Sequence, residues 1–245
     1  MGELDGRVAI VTGAGAGLGR AIAGRLADAG AHVVVFEIDG ESAERAAQEL
    51  GGEFRQVDVS DGAQVDEAVR SLDRVDILVN NAGVSHVGKE LHEVTDHEWH
   101  RSIDVMQHGA FYCMRAVAPG MLERGKGAIV NIASIRSETP NRERVAYCAP
   151  KAAVLMMTRC AAADWGDRGL RVNCISPGFQ RTPMWDADIE AGVVDGERLL
   201  AGVPAGRVGD PNEVGDLVVF LCSDRALYIS GANVVIDGGT TSALV

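Results

Sequence analysis

Short apolar runs alternate with helical patterns along the whole of this 245-residue chain, and that alternation limits the fold more than any other feature. Strand-like runs fall at residues 7–12, 32–36, 54–59, 76–80, 128–133, 171–176 and 233–236. Helical patterns start near Gly17, Gly40, Asp61, Asp96, Tyr147 and Pro211. Strands that alternate with helices build βαβ units, which give a parallel sheet with helices on both faces and right-handed crossovers. The expectation is an α/β, doubly wound sheet. No Pro/Ser-rich linker, repeat or low-complexity block breaks the pattern, so residues 1–245 are expected to form one domain.

The first strand runs into a turn that carries Gly13, Gly15, Gly17 and Gly19, followed by a helical pattern. Glycines in such a turn allow a pyrophosphate to approach the backbone and rest on the helix N-terminus. Leu18 stands where the strict G-x-G-x-x-G spacing would place its last glycine after Gly13 and Gly15. An ordinary glycine-rich βα turn is the less favoured alternative. The second strand-like run ends at Glu37, whose carboxylate can accept hydrogen bonds from adenosine ribose hydroxyls and would repel a 2′-phosphate. Ala16 and Ile38 supply no cation to offset that, so NAD is expected over NADP. The alternative for Glu37 is a solvated strand end.

Tyr147 and Lys151 are four residues apart, one turn along one face of a helix. A free phenol, with a pKa of about 10, is a poor acid or base near neutrality. A neighbouring ammonium favours the phenolate and suits the pair to exchange a proton with an alcohol or carbonyl. Pro150 is tolerated in a first turn, which places the helix start near Tyr147. Ser134 follows the fifth strand-like run, where its hydroxyl can face the phenol and hold a substrate oxygen. Taken alone, Tyr-x-x-x-Lys is a weak motif, and chance or a solvated helix face is the preferred reading of an isolated match.

Composition narrows the partners. A formal net charge of −12 argues against nucleic acid or an anionic membrane. No apolar run reaches membrane-spanning length. Cys113, Cys148, Cys160, Cys174 and Cys222 are scattered without C-x-x-C, and are expected to be reduced core thiols. Cys148 adjoins Tyr147; a small filler is preferred there over a reactive thiol. His86, His92, His97, His100 and His108 lack the company of metal ligands, so no metal site is expected. The N-terminal residues lead into a strand without a signal-peptide pattern, and Gly6 breaks the myristoylation pattern, so a cytoplasmic location is expected.

Read together, these motifs resemble the short-chain dehydrogenase/reductase family, in its compact single-domain branch. Thr12, Gly13, Gly17 and Gly19 resemble its cofactor turn, with Ala16 and Leu18 between them. Asp58-Val59 resembles its adenine contact, and Asn80-Asn81-Ala82-Gly83 the motif that closes its fourth strand. Ser134, Tyr147 and Lys151 match its catalytic residues in order and spacing. Pro177, Gly178, Gln180 and Thr182 fall in its nicotinamide-side loop, and Phe220-Leu221 and Asp237-Gly238-Gly239 resemble its C-terminal end.

The resemblance implies a Rossmann-type sheet of about seven strands in a homotetramer or homodimer. It implies NAD(H)-dependent interconversion of a small secondary alcohol and its ketone. Tyr147 would be the acid/base, Lys151 would bind the nicotinamide ribose and favour the phenolate, and Ser134 would orient the substrate oxygen. Asp58, Val59, Asn81, Gly83 and Thr182 enter the cofactor site through the resemblance alone. One position departs from the pattern. Counting back from Gly109-Ala110-Phe111, the family's catalytic Asn is Met106 here. A thioether does not order water as an amide does. That departure keeps open an NAD-binding sensor or scaffold with little turnover. Around the expected substrate pocket, Arg144 is a candidate for an anionic group, though a solvated loop with internal ion pairs is preferred, and Met184 and Trp185 are candidates for an apolar wall, with core packing as the alternative.

Overall fold

The computed structural model describes residues 2–84, 88–190 and 195–243. Its seven strands are β1 (Val8–Thr12), β2 (His32–Glu37), β3 (Glu53–Gln56), β4 (Ile77–Asn80), β5 (Gly127–Ile132), β6 (Leu170–Pro177) and β7 (Asn233–Ile236). They form one sheet in the order β3-β2-β1-β4-β5-β6-β7, and every neighbouring pair is parallel. This is the doubly wound architecture expected from the alternation. The helices are α1 (Gly17–Asp28), α2 (Gly40–Leu50), α3 (Gly62–Arg70), α4 (Asp96–Ser102), α5 (Gly109–Arg124), α6 (Val145–Trp165), α7 (Pro183–Glu190), α8 (Gly196–Ala201) and α9 (Pro211–Cys222).

Both faces of the sheet are covered, which is why its strands read as continuous apolar runs. Val11, Val33, Val35, Ile77, Val79 and Val130 pack with Ile22 and Leu26 of α1 and Val214 and Val218 of α9. Their sequence neighbours Ile10, Val34, Phe36, Leu78 and Ile129 pack on the other face with Cys113, Val117 and Met121 of α5. The two-residue period of a strand thus feeds two separate cores.

The third strand is shorter than the sequence pattern suggested, ending at Gln56 rather than at Val59. Beyond the strand, Val57 and Val59 join the second core of the sheet. The sixth helix begins at Val145, two residues ahead of the expected start, so Pro150 lies inside the helix rather than in its first turn. The helix that follows Trp99 is interrupted: a π-turn at Ile103–His108, with Gly109 N–H donating to Asp104 O, separates α4 from α5. A π-turn inserts one residue and re-aims the side chains around it; here Met106 faces inward and is 2% exposed. Cys113, Cys174 and Cys222 are buried as expected, with burial pushing Cys113 and Cys222 up to about 12 and Cys174 up to about 11. Cys148 is half-buried, and Cys160 is exposed rather than a core thiol, because it lies on the outer face of α6. No helix among the described residues is long and apolar enough to cross a membrane.

Candidate active site

The strand order reverses direction between β1 and β4, and in open parallel sheets the crevice beyond the strand C-termini at such a point receives ligands. A cleft of about 1080 Å³ opens there, reached by the ends of β1, β2, β4, β5 and β6. Its lining includes Gly13, Ala16, Gly17, Leu18, Glu37, Asp58, Val59, Asn81, Gly83, Ser134, Arg144, Tyr147, Lys151, Pro177, Gly178, Gln180, Thr182 and Trp185. The residues singled out in the sequence therefore converge on one cleft from all along the chain. Met184 is the exception, because its side chain lies outside the described residues.

At one end of the cleft the glycine turn carries the chain from β1 into α1. Gly13 has φ +64°, a conformation that L side chains rarely adopt, and a Cβ there would stand 2.9 Å from Ala82 Cα. A Cβ on Gly19 would lie 2.1 Å from Gly13 O, so only glycine lets the helix close onto the turn. Asn81 reaches across from the end of β4, its Nδ2 donating to Thr12 O at 3.0 Å and Gly13 O at 3.2 Å. The Thr12 hydroxyl accepts from the N–H groups of Asn81 and Ala82, both at 3.0 Å. Glu37 Oε2 accepts from Gly15 N–H at 3.1 Å and Oε1 from Ile38 N–H at 2.9 Å, so the carboxylate is held against the turn. Asp58 Oδ1 accepts from the N–H and hydroxyl of Ser60, at 2.9 and 2.6 Å.

At the other end stand Ser134, Tyr147 and Lys151. Ser134 follows β5 and its Oγ accepts from Arg136 N–H at 3.1 Å, which leaves the hydroxyl proton to be donated elsewhere. Lys151 is 6% exposed; its Nζ donates to Ile132 O at 2.7 Å and lies 5.8 Å from the centre of the Tyr147 ring. The backbone bond anchors the ammonium beneath the phenol. Thr182 Oγ1 accepts from Trp185 N–H at 3.2 Å and starts α7, whose Trp185 ring lies 5.7 Å from Phe179. Arg144 precedes α6 directly after Glu143, whose φ of +60° makes it the non-glycine residue in the left-handed region among the described residues.

His97, His100, Arg101 and Asp104 from α4 and the π-turn, and Arg136 and Asn141 from the segment before α6, also line the cleft. They were not selected from the sequence, because nothing local to residues 97–104 or 136–141 shows that these two segments meet at the cleft. No group of three or more His, Cys, Asp or Glu among the described residues is arranged to hold a metal ion.

This fold and cleft belong to a class with known members. Residues 13–241 match the family described as enoyl-(acyl carrier protein) reductase. The chain is 40% identical over 252 residues to D-threitol dehydrogenase of Mycolicibacterium smegmatis, covering 98% of this chain and 94% of that protein. It is also 40% identical over 252 residues to galactitol 2-dehydrogenase of Rhizobium johnstonii, covering 98% and 96%. The crystal structure of a gluconate 5-dehydrogenase from Burkholderia cenocepacia, in complex with NADP and tartrate, superimposes with a TM-score of 0.93 at 34% identity, covering 98% and 97%. The chain therefore belongs to the short-chain dehydrogenase/reductase family, and is an oxidoreductase of a family that uses nicotinamide cofactors.

Proposed function

We propose that this protein interconverts a secondary alcohol of a small polyhydroxylated substrate and the corresponding ketone, using NAD(H). The observation that carries the reading is the buried Lys151, anchored to Ile132 O and stacked one turn below Tyr147, in the same cleft as Ser134 and the glycine turn.

The residues present fit a dinucleotide. The turn from Gly13 to Gly19 presents backbone without side chains to the cleft at Gly13, Gly17 and Gly19, and it leads into the N-terminus of α1. Gly13, Gly17, Ala16 and Leu18 would hold the pyrophosphate, Glu37 the adenosine ribose, Asp58 and Val59 the adenine. Asn81 and Gly83 would shape the middle of the site, and Pro177, Gly178, Gln180 and Thr182 its nicotinamide end. Glu37 supports NAD: its carboxylate, held against the glycine turn, would repel a 2′-phosphate on the adenosine ribose, and Ala16 and Ile38 bring no positive charge.

When bound, the nicotinamide supplies a hydride acceptor or donor next to the substrate carbon. Tyr147 takes the alcohol proton during oxidation and returns it during reduction. Lys151 stabilises the phenolate through its charge, and its bond to Ile132 O holds it in place. Ser134 donates its hydroxyl to the substrate oxygen and so orients the reacting carbon. Polyol-dehydrogenase relatives support the substrate class, as do the hydrogen-bonding groups of His97, His100, Arg101, Asn141 and Arg144 at the cleft. The test is formation of reduced cofactor from a panel of polyols and simple secondary alcohols, with NAD and NADP in parallel. A preparation that binds NAD yet turns over no alcohol or ketone would leave the sensor reading in its place. The homo-oligomer and the cytoplasmic location expected from the sequence remain part of this proposal.

A further inference from the structure

Met106 stands where the family pattern carries an amide, and the structure brings a different amide to the same neighbourhood. A small cavity of about 10 Å³ lies beneath the active site, its lining including Thr12, Asn80, Val105, Met106, Ile132 and Lys151. That is close to the volume of one water-sized sphere. Lys151 contributes a cation with three donors, of which one goes to Ile132 O. Met106 contributes a thioether, a weak acceptor with no donor.

Asn80 contributes a buried acceptor. It is 6% exposed, and its Oδ1 has no hydrogen-bonding partner. Which end of that amide faces the cavity follows from the network behind it. Thr158 Oγ1 donates to Val154 O at 2.9 Å, so it accepts from Asn131 Nδ2, also at 2.9 Å. Asn131 therefore turns Oδ1 toward Asn80, and accepts from Asn80 Nδ2 at 2.8 Å. The donor sequence leaves Asn80 Oδ1 as the free end. Buried acceptors of this kind are satisfied in folded proteins by ordered water when no protein donor reaches them.

We infer that Asn80 is a positioning residue for Lys151, acting through one water in this cavity. Lys151 Nζ donates to the water and the water donates to Asn80 Oδ1. The amide neither gains nor loses a proton. It holds the water, and the water holds the ammonium beneath Tyr147 at the second of its three donors. In this chain the amide comes from the end of β4, not from the helix position occupied by Met106. The inference rests on the proposed acid/base roles of Tyr147 and Lys151, and one readout is independent of them.

That readout is a high-resolution crystal structure of the native protein, which should show a water within hydrogen-bonding distance of both Asn80 Oδ1 and Lys151 Nζ. Its absence overturns the inference, whether or not the enzyme is active. The kinetic arm compares Asn80→Ala with Asn80→Ala/Met106→Asn. Asn80→Ala should lower kcat about tenfold, part of the range that acid–base groups contribute, and shift the pH–rate profile. Restoring an amide at 106 should recover most of that loss, and raise kcat more in the Asn80→Ala background than in the native one. A fall in thermal stability with an unchanged pH–rate profile, or no recovery in the double variant, means that Asn80 only braces β4 against β5. If Asn80→Ala does not fold, the native structure decides alone. A native enzyme with no turnover removes the proposed function, while the water remains open to inspection.

Discussion

Asn81 holds Gly13: its Nδ2 donates to Gly13 O at 3.2 Å and to Thr12 O at 3.0 Å, tying the end of β4 to the turn that leaves β1. The amide shapes the cradle from behind. Asn81→Ala should cost about 1–3 kcal/mol of stability, because buried carbonyls lose their donor. It should also weaken NAD binding, since the turn would no longer be held at its tight conformation. Thermal unfolding with and without NAD checks both effects, and a variant that binds NAD with native affinity would detach Asn81 from the cradle.

Cofactor choice should follow Glu37. The expected preference for NAD over NADP is at least about tenfold in kcat/KM, or 1.4 kcal/mol. Glu37→Ser should narrow it by removing the charge that opposes a 2′-phosphate. Equal use of both cofactors by the native enzyme contradicts the role assigned to this carboxylate.

Tyr147→Phe keeps the ring and removes the transferable proton. A loss of at least about a hundredfold in kcat is expected, in line with general acid–base contributions. NAD affinity should change little, which equilibrium titration of cofactor fluorescence can measure. Near-native turnover would assign the proton transfer to another group.

Arg144 tests the charge of the substrate. Arg144→Ala should raise KM by about tenfold for a sugar acid, since a charge-assisted hydrogen bond of about 1.5–3 kcal/mol is lost. KM for a neutral polyol should hardly move. Equal KM changes for both substrates would show that Arg144 shapes the loop rather than meeting a carboxylate.

A separate prediction concerns stability at low pH. Glu213 caps α9: it accepts from Asp210 N–H at 2.8 Å and from both terminal nitrogens of Arg207, at 2.9 and 2.7 Å. The Arg207 hydrogen bonds, followed by that of the Asp210 backbone, hold the Glu213 carboxyl down to about 2. A depressed carboxyl stabilises the fold above its unfolded pKa, about 4.3, and that contribution disappears as pH falls toward about 2. Glu213→Gln should therefore lower Tm near neutrality, and the gap should close between those values. The side chain is 42% exposed, so solvent screening limits the effect to about 1 kcal/mol or less, a few degrees in Tm. A gap that is constant with pH would trace the loss to helix packing.

Much of this protein is legible in local pattern. Runs such as residues 128–133 read as strands because both faces of a parallel sheet are buried, and β5 is indeed buried throughout. The glycine turn is legible because Gly13 needs a positive φ, and Glu37 because it closes a strand. The Tyr147–Lys151 pair follows from helical spacing alone. What failed locally failed for definable reasons. Val57 and Val59 are as apolar as strand residues, but they bury in the second core after the strand has ended.

Position in the sheet was decided by tertiary structure. Strand-like runs carry no label of order, so nothing in residues 76–80 shows that β4 pairs with β1, which brings Asn81 to Gly13, and with β5, which brings Asn80 to Asn131. Lys151 is spaced from Tyr147 by its own helix, but its anchor, Ile132 O, belongs to a strand 19 residues earlier. The π-turn changes the phase of the helix after Ser102, where Met106 is buried, and α4 ahead of it brings His97, His100 and Arg101 to the cleft. Periods of two and of 3.6 residues report which face of an element is apolar; which elements meet, and which polar atoms remain unpaired where they meet, depends on contacts between residues far apart in the chain.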